Sequence, residues 1–128
     1  MTETHMLQVL IEKATLDIKE DYDLDVRTVG EVKVRMNELE LKMSKRENLE
    51  NNDESLSFAR RELNRLTDST ILKSKEAWKR YEALKRDCQT QAFKPPQLDE
   101  LRIWCKRAEQ LAADLLCYSL GALTNENS

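Results

Sequence analysis

At 128 residues the chain has room for one domain and excludes a multidomain enzyme. Leu, Glu, Lys, Arg and Ala make up half of it, Gly and Pro number two each, charged residues reach 35% and apolar residues only 40%, a balance that excludes a broad spherical core and fits long helices with narrow apolar seams. The net charge of −3 hides an asymmetry, with three bases and seven acids in residues 1–30 against ten bases and five acids in residues 59–94, which helix packing within the molecule or between copies can satisfy without nucleic acid.

Leu7, Ile11, Ala14 and Ile18 recur at steps of four, three and four, predicting a first helix over residues 5–22. The acidic Asp21-Tyr22-Asp23-Leu24-Asp25 then interrupts it, and Thr28-Val29-Gly30-Glu31 has the form of a capping box that starts a second helix over 28–50. Val29, Val32, Met36, Leu39 and Met43 continue that helix as a coiled-coil seam, and Asn51-Asn52-Asp53 ends it. A third helix spans 53–93, roughly 60 Å if unbroken, with a seam of Leu56, Ala59, Leu63, Leu66, Thr70, Ser74, Ala77, Tyr81, Leu84 and Cys88. Two consecutive steps of four around Thr70 form a stutter in the weak helix-former run Thr67-Asp68-Ser69-Thr70, where a kink or break is expected near Ser69. Lys94-Pro95-Pro96 stops this helix.

The fourth helix covers 97–122, leaving residues 124–128 as a frayed tail. It carries two apolar sides: Leu101, Trp104, Ala108, Leu111, Leu115 and Tyr118 on one, and Leu98, Cys105, Ala112, Leu116 and Leu123 about a quarter-turn away. The fold expected is all-α: a single elongated antiparallel helical bundle with coiled-coil seams, three or four helices and a long third helix that outreaches its neighbours.

Cys88, Cys105 and Cys117 are odd in number and lack Cys-x-x-Cys spacing, so reduced thiols in an intracellular protein, cytoplasmic or nuclear, are expected. The start lacks a basic signal region, and the apolar run Leu111 to Leu123 contains Asp114 and is too short to span a bilayer. His5 is the sole histidine, placed beside the terminus with no partner set by spacing, and no phosphate loop, EF-hand or His-x-x-x-His pair is present. No enzymatic activity, cofactor or metal is expected.

Two features carry functional expectations. The first is the second apolar side of helix four, which either lies at the centre of the chain's own bundle or docks on a second copy or another subunit; the candidate partner-binding residues are Ala112, Leu116, Tyr118, Leu120 and Leu123. The second is the basic run Lys73, Lys75, Lys79, Arg80, Lys85 and Arg86, interleaved with Trp78 and Tyr81, a candidate polyanion-binding face that Glu76, Glu82 and Asp87 interrupt. Tyr81 fits the core seam, and Trp78 covers a bundle edge with its indole N–H in water. The leading expectation is a non-enzymatic interaction module, a helical scaffold or adaptor subunit working as a homodimer or hetero-oligomer. A nucleic-acid accessory protein and a small helical effector or inhibitor that fills a partner's groove are the alternatives.

Overall fold

A computed structural model describes the backbone of residues 2–45 and 49–126 and the side chains of residues 2–45 and 53–121. Three helices follow one another, α1 (Glu3–Ser44), α2 (Leu49–Thr90) and α3 (Pro96–Glu126), with no strand among the described residues. The 42 residues of α1 and of α2 reach about 63 Å each at 1.5 Å per residue, so the bundle is a rod. Cross-helix contacts define its topology. Asp17, Asp25 and Arg35 of α1 pair with Arg80, Lys73 and Glu62 of α2, so the two helices run antiparallel. Cys105 and Ser119 of α3 meet Ala77 and Asn64 of α2, also antiparallel, and α3 therefore runs alongside α1, where Tyr22 packs on Trp104 and Lys33 on Tyr118.

The helices expected over 5–22 and 28–50 are one continuous α1. Its N-cap is Thr2, whose hydroxyl accepts from the His5 backbone N–H at 3.1 Å. The expected capping box does not form: the Thr28 hydroxyl donates to the Leu24 carbonyl at 3.0 Å, one turn back inside the helix. Tertiary contacts outweigh the poor local propensity of residues 21–25, because Asp25 is buried against Lys73 and Tyr22 meets the edge of Trp104 at 5.6 Å. α1 ends at Ser44, earlier than residue 50, so Asn51, Asn52 and Asp53 fall in the opening turns of α2 instead of a loop. Short polar and acidic residues are well tolerated there, near the positive end of the helix dipole.

The long helix expected over 53–93 is α2, and since α1 matches it in length it does not outreach that neighbour. It passes through Ser69 without a break. The hydroxyls of Thr67 and Thr70 donate back to the carbonyls of Leu63 and Thr67, at 2.7 and 2.9 Å, so both are buried without an orphaned polar atom. α2 stops at Thr90, ahead of the prolines. Ala92 adopts a left-handed φ of 50°, while Ala92 N–H donates to the Gln89 carbonyl and Phe93 N–H to the Cys88 carbonyl at 2.8 Å. This pair of bonds is a Schellman cap, sealed by Phe93 packing on the cluster that contains Cys88. α3 runs to Glu126, past the expected end at 122. Of the expected tail 124–128, Asn127 and Ser128 lie outside the described residues.

The seams meet in two cores. One gathers Leu7, Ile11, Ala14 and Ile18 with Ala77, Tyr81, Leu84 and Cys88 and with Leu101 and Cys105. The other gathers Val29, Val32 and Met36 with Ala59, Leu63 and Leu115. Between them lies a polar waist of Asp25, Thr67, Thr70, Lys73 and Ser74, at the stutter in the α2 seam. Both faces of α3 serve these cores: Trp104, Leu111 and Tyr118 sit at the periphery of the cores, while Cys105 reaches α2.

Gly30 is exposed within α1, with no atom within 4 Å of an added Cβ. Gly30→Ala should therefore stabilise the fold by about 0.5–1 kcal/mol, and Ala92→Gly by about 1 kcal/mol through relief of the left-handed alanine. Urea unfolding with unchanged m-value checks both; a loss of stability in either variant contradicts the helix placement.

Candidate functional site

Small side chains floor an open concavity of the bundle. Ser74 on α2 and Ala112 on α3 are both buried, at 6% exposure, and where two small residues face each other the helices leave a channel. It is a groove of about 830 Å³ between α2 and α3, lined by Ile71, Ser74, Lys75, Trp78, Lys79, Glu82, Arg86, Glu109 and Ala112, with α1 on the far side of the bundle. Along α2 the lining runs from Ile71 to Arg86, about 22 Å.

Trp78 forms a rigid projection in this groove. Its indole N–H, expected to face water, donates to the Glu109 carboxylate at 2.9 Å, and its ring meets the edge of Tyr81 at 5.6 Å. Tyr81 is a core residue as expected, 6% exposed. Glu109 also acts on Cys105, whose thiol is pushed up to about 11, first by burial and then by that carboxylate.

The basic run divides into three groups. Lys73 donates to both carboxylate oxygens of Asp25, at 3.1 and 3.4 Å, and Arg80 to Asp17 at 3.0 Å, so these two cations face α1. Lys85 is half-buried with its ammonium 6.0 Å from the Tyr81 ring centre. Lys75, Lys79 and Arg86 line the groove. The six bases expected to act together as one polyanion-binding face are thus separated by helical geometry, since positions 73 and 80 project toward α1 and positions 75, 79 and 86 away from it.

The candidate partner-binding residues also divide. Ala112 is on the groove floor, and Leu116 and Leu120 follow it one and two turns along α3, 42% and 55% exposed. Tyr118 instead packs against the second core with Lys33 4.6 Å over its ring, which makes it part of the α1–α3 contact and not of an outward face. Burial raises its phenol pKa, with Glu40 adding to the shift. The side chain of Leu123 lies outside the described residues. Ile71 and Glu109 are groove residues to which sequence reasoning gave no role. The signal for Ile71 was its position four and seven residues before Lys75 and Trp78, a stripe beside the core seam.

Cys88 and Cys105 are buried in the first core and Cys117 is exposed. Among the described residues no group of three or more His, Cys, Asp or Glu comes together as a metal site, and no helix is long and apolar enough to cross a membrane. The fold defines the chain as an antiparallel three-helix bundle. No protein-family model, curated protein or solved structure matches it.

The thiols give a chemical test of this arrangement. Burial raises the Cys88 thiol, with Asp87 adding to it, and Cys105 lies near 11, so at pH 8 alkylation should modify Cys117 rapidly and the other two only on unfolding. Because the folded pKa of Cys105 is above its unfolded value, its neutral thiol supports the fold below pH 9, and that contribution is lost as pH rises toward 11. Mass spectrometry of the labelled native protein checks the order; equal labelling of all three cysteines contradicts the core.

Proposed function

We propose that the chain is a non-enzymatic protein-interaction module, a helical scaffold or adaptor that joins a complex by helix packing in the groove between α2 and α3. The observation that carries this reading is the pairing of two unlike walls on one open channel. The α3 wall carries Glu109 and Ala112, with the exposed Leu116 and Leu120 continuing the Ala112 ridge beyond the groove's end; the α2 wall carries Lys75, Lys79, Glu82 and Arg86 around Ile71 and Trp78. A rigid aromatic flanked by apolar and charged side chains is the usual make-up of an energetic centre in a protein interface. The grouping of cations favours this over polyanion binding. Lys73 and Arg80 are neutralised by α1, and the remaining three share their groove with the carboxylates of Glu82 and Glu109.

The test is affinity isolation from the source cell, comparing wild type with Leu116→Asp, one turn along α3 from the groove residue Ala112, and Val34→Asp, an exposed control on α1. Circular dichroism should show both variants helical, because both positions are solvent-facing. A stoichiometric protein partner should be retained by wild type and Val34→Asp and lost with Leu116→Asp. The contact should survive about 0.5 M salt, where charges are screened within a few ångströms. A partner indifferent to Leu116→Asp, or material released by nuclease or by salt alone, contradicts the proposal.

A further inference from the structure

We infer that the occupant of the α2–α3 groove is an acidic amphipathic helix of another protein, about four turns long, lying along the groove with its carboxylates toward the α2 cations and its apolar side toward Ile71, Trp78 and Ala112. This rests on the interaction reading above and adds the chemistry of the partner. The groove's own dimensions set the secondary structure. Its lining spans about 22 Å along α2, the length of four helical turns, and the small side chains of Ser74 and Ala112 leave room between Ile71 and Trp78 for side chains at steps of three and four. The charge follows from spacing. Lys75, Lys79 and Arg86 stand at i, i+4 and i+11, which is one ridge of a helix. A partner helix running beside that ridge meets Lys75 and Lys79 on successive turns, then Glu82, then Arg86, and needs Asp or Glu opposite the three cations. Two carboxylates share the groove, Glu82 on the same ridge and Glu109, which accepts from the Trp78 indole N–H, against three cations, so the excess charge a partner meets is positive.

The chain's own acidic helix is the wrong occupant. α1 exposes Val9 and Leu16 beside Glu12 and Glu20, but α1 and the groove are on opposite sides of the bundle. A second copy docking by that face would leave its own groove open and add copies head to tail instead of pairing them.

The experiment is a selection from a displayed library of helical peptides, about four turns long, with unbiased charge, performed on wild type and on the double variant Lys75→Glu, Lys79→Glu. Both lysines are exposed, and circular dichroism should show the variant folded. Wild type should return helices with apolar residues at i, i+3 or i+4 and i+7 and Asp or Glu along one flank. Their affinity should fall about tenfold or more on the double variant and on Leu116→Asp, and the double variant should return Lys- or Arg-flanked helices instead. Groove-dependent binders with neutral or basic flanks on wild type would overturn the acidic occupant while leaving the interaction reading intact. Binders that none of the groove substitutions affects, or none at all, would overturn both. Two further results would overturn the inference: wild-type self-association abolished by Leu116→Asp, which gives the groove to a second copy, and a random-sequence single-stranded oligonucleotide that binds more tightly than the selected peptides and is lost on the double variant.

Discussion

The ion pair between Asp25 and Lys73 is the constraint around which the bundle is organised. Asp25 is a carboxylate at 7% residue exposure in the middle of a helix, and the Lys73 ammonium reaches both of its oxygens from α2. A buried charge without a partner costs several kcal/mol, so registers of α1 against α2 that separate the two are disfavoured even where their apolar seams would still meet. Steps of three and four repeat along both helices and would tolerate a slip of one heptad. The polar waist resists it in one direction, because a slip toward the start of α2 would bring Asp25 against Leu66.

The same pair has consequences on either side of it. It keeps α1 helical through its most acidic stretch, which in isolation would be a poor helix, and so converts two short helices into one rod. It also turns Lys73 inward, and Arg80, two turns along the same ridge, follows toward Asp17. Cations on the adjacent ridge cannot reach α1. Lys75, Lys79 and Arg86 are left on the α2–α3 side, where the small residues Ser74 and Ala112 have opened the channel. The proposed interaction surface is thus what remains after the fold has used the charge of its basic helix on one side only.

Helix content, seam membership and antiparallel packing were legible in the sequence because apolar periodicity reports directly on burial: Leu7, Ile11, Met36, Leu63, Leu101 and Leu115 all lie in the cores. Breaks were less legible. Asp21 to Asp25 and Thr28 carry the local chemistry of a helix boundary, and only a partner 48 residues away shows that Asp25 belongs inside. The end of α2 was placed by its prolines, whereas the backbone turns three residues earlier at Ala92, a left-handed alanine that composition does not mark. For the groove, Ala112 on one helix and Lys75 with Lys79 on the other were visible as parts of separate stripes, but their meeting depends on the rotation of α2 against α3. Tyr118 and Lys73 fell on the wrong side of that rotation, and nothing in the spacing of one helix records the azimuth of its neighbour.

A double-mutant cycle at Asp25 and Lys73 measures the organising interaction most directly. Asp25→Asn and Lys73→Met, alone and together, are compared by urea unfolding with circular dichroism. Each single change should be destabilising, and the pair should cost less than the sum by at least about 1 kcal/mol, the coupling expected of groups in direct contact through a shared hydrogen bond. Strict additivity, with the double variant losing the sum of the single losses, would show that Asp25 and Lys73 do not interact and that something else sets the register of α1 on α2.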